Sequence, residues 1–360
     1  GALFLSAVLG GLVTIIVGLG NSYWLRAVGA SPSTVIFALP YLIYRLIGVI
    51  PDIASTVSAS SLQGALDTKS PLTVSLIALI TNAICNYFLI FQAGMGIAGA
   101  ALATSVAQVV SGAVYFNKLL RRKLVTWSTA LRPPSKEMFS RLAGSVGALQ
   151  VRNIALNAAF IGITRQVQSL DATGIAAAAH NVAIQVWLVG GVFLLALGTV
   201  ANSLTSAELG RPGSTPESAR FVAKRLIAWG AVMGAVLTVA QCAFASPLLS
   251  LFSPSLEVKK AALVPYLVGA LLQVVNGVVF VGEGLMVAGG AYSLLAVGQV
   301  IATVLHLLAI KIAPPTLTAL WGCFWVWNAA RLASFATFWF TRSPLLPNGR
   351  PGFWTKEKPA

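Results

Sequence analysis

The sequence predicts an all-α, polytopic membrane bundle of about ten transmembrane helices. Three observations predict it: a deficit of charge, apolar runs of span length, and basic residues held between those runs. Of the 360 residues, 57% are hydrophobic and 9% charged, and the mean hydropathy is +0.84. A soluble domain carries about 25% charged residues. This chain has too little charge to coat a water-facing surface, so its apolar excess must face lipid.

A helix needs ~20 mostly apolar residues to cross the hydrocarbon core. Such runs fall near 3–25, 36–60, 71–91, 97–117, 143–165, 175–203, 222–246, 262–285, 291–310 and 317–340. Pro40, Pro51 and Pro265 lie inside them, and membrane helices tolerate proline where soluble ones do not. The runs do not alternate polar and apolar residues, which excludes a β-barrel of ~10-residue strands.

The formal charge is +15. In a soluble protein that balance suggests nucleic acid, but here it follows membrane topology, and no nucleic-acid partner is expected. The longest polar stretch, 118–141, holds Arg121, Arg122, Lys123, Arg132 and Lys136. It reads as a linker on the cytoplasmic side, or on the equivalent side of an organelle. Alternate loops then place Lys69, the cluster Arg211, Arg220, Lys224 and Arg225, and the tail residues Arg342, Arg350, Lys356 and Lys358 on that side too. Of the 24 Lys and Arg, Arg26, Arg165, Lys259, Lys260 and Lys311 fall opposite, and Arg45, Arg152 and Arg331 lie within spans. Cys85, Cys242 and Cys323 sit in apolar runs without a CxxC pair, as small packing residues do.

Two segments resemble each other. Residues 30–42 read ASPSTVIFALPYL and residues 252–267 read FSPSLEVKKAALVPYL. Each carries SPS and then PYL between apolar runs, which suggests two homologous halves, a common transporter plan. The second copy follows the third span of its half and the first copy follows the first span. The first half is therefore short by two spans, twelve are expected in the complete protein, and its natural N-terminus is expected ahead of Gly1. The resulting domain plan is a partial first lobe (1–117), a basic linker (118–141), a second lobe (142–341) and a polar basic tail (342–360).

Five segments in order resemble the multidrug and toxic compound extrusion (MATE) family, in its DinF-like branch with the plant DETOXIFICATION-type exporters. GASPSTVIFALPYLIYRLIG (29–48) is similar to the branch's GASP…YLxxRxxG. QGALDTKSPL (63–72) is similar to RGxxDTxTPL, with Gln63 in place of Arg. FQAGMGIAGAALATSVAQ (91–108) resembles GLGxxGAAxAT. AAAAHNVAIQVWL (176–188) resembles AAHQIxLQVWL. NGVVFVGEGLMVAGGAY (276–292) resembles NxLxFVxDGxxxGxxDF, with Glu283 in place of Asp. The resemblance covers nearly the whole chain and implies two pseudo-symmetric six-helix lobes, with residues 1–27 as the third helix. It implies a secondary active transporter, an antiporter exporting organic acids such as citrate, phenolic compounds or drugs against protons or Na⁺ by alternating access. Two departures stand out. Leu195 occupies the position of an Asp in the plant branch, and the first-helix Asp has no counterpart here.

Ionisable residues inside apolar runs are functional candidates by default, because each costs at least ~2.5 kcal/mol on insertion scales. Glu283 occupies the family's acidic position and is a candidate to bind and release the coupling ion; the alternative is a solvated acid near the aqueous end. Asp52 follows Pro51, which frees a backbone carbonyl that could help hold a cation. Arg45 lies about two turns earlier, so a neutralising Arg45–Asp52 pair is the alternative. Arg152 is a natural partner for an organic carboxylate, which guanidinium holds by two parallel hydrogen bonds, or else a member of an internal ion pair. Asn153 and Asn157 share a face beside it. Asn181 and Gln185, four apart, suit interhelical hydrogen bonds or cavity lining. Asn276, seven residues before Glu283, can face the same cavity. His180 and His306 lack partners at metal-ligand spacing, so both read as packing residues and no metal is expected.

No Walker A pattern supports ATP-driven transport. No catalytic set suggests an enzyme, and no pore signature suggests a channel. The expected partners are a small organic substrate and the lipid bilayer; no cofactor beyond the coupling ion is expected, and the protein is expected to be a monomer. The multi-pass chain would sit in a plastid envelope, plasma membrane or vacuole. A lipid-linked flippase of the same superfamily, with a more cationic cavity, and a non-transporting receptor or scaffold are the competing readings.

Overall fold

A computed structural model describes residues 1–27, 32–130, 132–171, 173–343 and 345. Ser31 of the first SPS copy and the tail residues Arg350, Lys356 and Lys358 lie outside the described residues. The described chain is helical: α1 (Ala2–Leu19), α2 (Asn21–Ala27), α3 (Pro32–Gly64), α4 (Lys69–Asn86), α5 (Gly96–Arg121), α6 (Trp127–Ala130), α7 (Lys136–Gln168), α8 (Ile175–Leu209), α9 (Pro216–Ala243), α10 (Ala245–Phe252), α11 (Leu256–Ala288), α12 (Tyr292–Ile312) and α13 (Leu317–Thr337). The ends of α4 and α13 widen into π-helical turns, Tyr87–Gln92 and Phe338–Arg342.

Among the described residues, nine helices are long and apolar enough to cross a membrane. They match nine of the expected spans, and the chain is a multi-pass integral membrane protein. The tenth expected span, α13, is a 21-residue helix outside that set. Its polarity comes from Trp321, Trp327, Asn328 and Arg331, and all four are buried. Its polar face turns into the protein, which mean hydropathy cannot register.

Helix ends depart from the apolar runs for local reasons. The first run breaks at Gly20, where α1 stops and α2 begins. The polar stretch 118–141 is not all linker. Helix α5 continues to Arg121, with Lys118 and Arg121 in its last turn, where cations face the negative end of the helix dipole. Helix α6 lies inside the same stretch, and α7 starts at Lys136.

The chain divides into two compact units, Gly1–Ser140 and Arg141–Ala360. In the first, α3 packs on α5 and α1, and α4 packs on α5. Its buried cluster is Leu62, Val74, Tyr115 and Leu119. In the second, α11 is central, flanked by α8, α9 and α13. Glycines let these backbones meet. A Cβ on Gly277 would stand 2.0 Å from the Gly230 carbonyl oxygen, and one on Gly284 would stand 2.2 Å from that of Gly198. Close backbone approach through small residues is how membrane helices associate when lipid supplies no hydrophobic drive. This unit also holds the aromatic cluster of Trp187, Phe324, Trp321 and Trp327.

The two SPS–PYL copies head helices of equal length. Both α3 and α11 have 33 residues and carry the repeat's proline, Pro40 and Pro265, inside the helix. Ser255, the last residue of the second SPS, caps α11 by accepting the Val258 N–H at 3.4 Å, a cap that satisfies an otherwise orphaned donor.

Candidate functional site

In the second unit, Glu283 of α11 meets two arginines from two other helices. Its Oε1 accepts from Arg331 Nε at 3.0 Å and from Arg331 Nη2 at 2.7 Å. Its Oε2 accepts from Arg152 Nη2 of α7. Both carboxylate oxygens are thus engaged by guanidinium donors, an arrangement that fits the ionised carboxylate because Arg offers donors alone.

The two arginines are held differently. Arg331 is 4% exposed and donates its Nη1 to Asn328 at 3.2 Å. Its guanidinium lies 4.6 Å from the Trp327 ring centroid and 5.4 Å from that of Phe280, within cation–π range. Arg152 keeps 19% of its side chain exposed. It donates Nη1 to Asn153 at 3.2 Å, and its buried Nε has no partner among the described residues. One carboxylate against two guanidinium groups leaves one formal positive charge on the cluster, and Arg152 is its more exposed member.

The other sequence candidates scatter. Asn153 and Asn157 share the exposed face of α7, with Asn157 Nδ2 donating to the Asn153 carbonyl at 2.8 Å. Asn276 does not reach Glu283. Its Nδ2 faces Gln273 Oε1 at 3.4 Å, and its buried Oδ1 has no partner among the described residues. Asn181 and Gln185 are exposed on α8 and make no side-chain hydrogen bond among the described residues, so the interhelical reading does not hold there. His180 and His306 are packing residues as expected: His180 Nδ1 accepts from Trp321 Nε1 at 3.2 Å, and His306 stacks on Phe324. Sequence reasoning counted Arg331 only as a basic residue within a span. The default suspicion of intramembrane charge was the signal that could have found it.

In the first unit, Arg45 turns away from Asp52 and donates to Gln108 Oε1 at 2.9 Å. The neutralising pair therefore does not form, because Gln108 on α5 supplies a nearer acceptor across the helix contact. Asp52 is exposed in a cleft of about 510 Å³ that also presents Thr56, Asn82, Thr104, Gln108 and Ser111. Its carboxylate has no hydrogen-bond or ion-pair partner among the described residues.

Two loop acids are structural. Asp67 Oδ1 accepts the Ser70 N–H at 3.0 Å and Oδ2 pairs with Arg122 at 2.8 Å. The hydrogen bonds from Ser70, then Arg122 and Lys118, hold its carboxyl below the usual range. Asp171 accepts the N–H groups of Ala176 at 2.9 Å and Gly174 at 2.7 Å, and these bonds lower it likewise.

Against known families, the MatE model matches residues 2–88 and 149–310, both repeats and the helices that carry Arg152 and Glu283. The chain belongs to the MatE family. Protein DETOXIFICATION 44, chloroplastic, from Arabidopsis thaliana is 27% identical over 340 residues, 93% of this chain and 64% of that protein. Protein DETOXIFICATION 43 from the same plant is 25% identical over 85% of this chain and 58% of its own length. The chain thus spans less than two thirds of these curated relatives. A MATE structure in the bent conformation superposes with TM-score 0.82 at 18% identity, over 93% of this chain and 75% of the other. A MOP superfamily transporter from Pyrococcus furiosus, described by the reverse polarity of its binding pocket, gives TM-score 0.83 at 18% identity, over 93% and 76%. These structures share the MATE fold with this chain.

Proposed function

We propose that this MatE-family chain is part of a secondary transporter that exports organic anions, citrate or phenolic acids among them, by alternating access against inward proton or Na⁺ flow. The observation that carries the anion preference is the Arg152–Glu283–Arg331 cluster, with two guanidinium groups to one carboxylate. A substrate carboxylate arriving at Arg152 would complete the charge balance with two parallel N–H···O bonds. The coupling cation is assigned to the first unit, where Asp52 lines a polar cleft with its carboxylate unengaged. Glu283, expected from sequence as the coupling acid, is assigned to the anion site instead, because both its oxygens are already held by arginine. The relative named chloroplastic, DETOXIFICATION 44, supports a plastid membrane over the two other locations.

The test is flux of radiolabelled citrate in proteoliposomes holding the full chain, with an imposed pH or Na⁺ gradient. Arg152→Met is expected to lower gradient-driven flux at least ~10-fold, the scale of one lost charge-assisted pair. Citrate flux that is undiminished in Arg152→Met would remove Arg152 from the site and the anion reading with it.

A further inference from the structure

Resting on that reading, we propose that Glu283 is a built-in competitor for the substrate: it occupies Arg152 when the site is empty, and the transported anion must displace it. The two arginines are asymmetric. Arg331 grips Oε1 through two donors, is fixed by Asn328, and lies against Trp327 and Phe280. Arg152 touches Glu283 through Nη2 alone, is tied otherwise only to exposed Asn153, and leaves Nε free. Arg331 is therefore the anchor and Arg152 the group with donors to offer.

Charge counting gives the exchange a definite end point. In the empty site, one carboxylate is shared by two guanidinium groups. With a substrate carboxylate on Arg152, Glu283 stays with Arg331, and the site holds two neutral pairs. No bond is made or broken beyond hydrogen bonds, and no proton need move. The charged and titratable groups bonded to Glu283 are Arg152 from α7 and Arg331 from α13. Among the described residues, α8, α9 and α12 contribute none; His180 and His306 are occupied within the aromatic cluster.

The proposal predicts a sign opposite to that of a simple contact residue. Removing the competing carboxylate should tighten anion binding rather than weaken it. Removing it alone leaves two facing guanidinium groups, which can unfold the site, so the decisive variant also removes one of them. Glu283→Gln combined with Arg331→Met keeps the formal site charge at one, as in the wild type, and leaves Arg152 without a carboxylate partner. The methionine retains an apolar chain against Trp327 and Phe280.

The experiment measures equilibrium binding of radiolabelled citrate to the full chain in detergent, for wild type, the double variant and Arg152→Met. The double variant is expected to bind about tenfold more tightly than wild type, and Arg152→Met to lose binding. Tight binding by the double variant with none by the wild type also supports the competitor. Equal or weaker binding by the double variant, with wild-type binding intact, overturns it and leaves the anion reading standing. Binding by neither protein overturns both. A second readout uses the same double variant. Citrate should raise its melting temperature more than that of wild type, because the stabilisation a ligand gives the folded state grows with the logarithm of ligand concentration over dissociation constant. An equal or smaller rise would count against the competitor.

Discussion

Helices α3 and α11 each carry one of the two SPS–PYL segments, and they differ in what surrounds them. Each has 33 residues and an internal repeat proline. Yet 56% of the apolar window of α11 is buried, against 6% for α3. Of the two acids on α11, Glu257 in the first turn and Glu283, the latter is enclosed by two arginines, whereas the acid on α3, Asp52, stands exposed without a partner among the described residues. The comparison teaches that the repeat preserves a helix frame and leaves its chemistry free. The same kind of side chain is held by two guanidinium groups in one helix and stands unengaged in a polar cleft in the other.

Deleting the acid from each copy is the strongest way to break the comparison. Glu283→Ala strips the counter-ion from the buried Arg331 and the partly buried Arg152 and is expected to destabilise by about 3–5 kcal/mol. Asp52→Ala removes an exposed, unengaged carboxylate and is expected to stay within about 0.5 kcal/mol. Thermal unfolding of both in detergent reads the difference. Equal shifts would mean that burial and pairing do not separate the two acids.

The helix contacts make a second, smaller contrast. A Cβ on Gly277 of α11 would meet the backbone oxygen of Gly230 at 2.0 Å, and backbone cannot step aside. A Cβ on Gly48 of α3 would meet Gln108 Oε1 at the same distance, the end of a flexible side chain, while the Ser105 Cα stands farther off at 3.1 Å. Gly277→Ala is expected to cost about 1–3 kcal/mol through overpacking and Gly48→Ala less, the latter by pushing Gln108 off Arg45. A larger shift for Gly48→Ala in the same melts would reverse the assignment of rigid and soft contacts.

How much of this was legible follows from what a sequence encodes locally. The spans could be read because lipid demands ~20 apolar residues whatever the packing. Helix α13 shows where that rule thins: Trp321, Trp327, Asn328 and Arg331 lower its hydropathy, and only tertiary burial explains them. At the site, Glu283 and Arg152 were visible singly as intramembrane charges. Their meeting was not, since 131 residues separate them. Arg331 lies 48 residues from Glu283 and announced itself by charge alone. Asn181 and Gln185 share a face by spacing, which does not say what that face touches.

Function should separate the copies as well. If Asp52 binds the coupling cation, Asp52→Asn will leave citrate binding near wild type while flux loses its dependence on the imposed pH or Na⁺ gradient. The Arg152 and Glu283 variants should change binding itself. Flux in Asp52→Asn that still follows the gradient would return the coupling to another residue.

The smallest effect belongs to the loop acids, one in each unit. Asp67 and Asp171 are both held below the ordinary carboxyl value of 3.8 by their hydrogen bonds. A depressed folded-state value means that the stabilisation is fully present above the unfolded value and is lost as pH falls through the folded one. The wild type should therefore melt progressively earlier as pH drops below about 4. Asp171→Asn should melt earlier than wild type at neutral pH, with the two curves converging in acid. Salt then distinguishes the units. The Asp67 contact includes Arg122, half exposed at 49%, and should weaken with ionic strength as exposed charge pairs do. Asp171 relies on the backbone N–H groups of Gly174 and Ala176, so its contribution should persist in high salt. Melting curves of Asp67→Asn and Asp171→Asn across a salt series check this: the Asp67 difference from wild type should shrink with salt and the Asp171 difference should not.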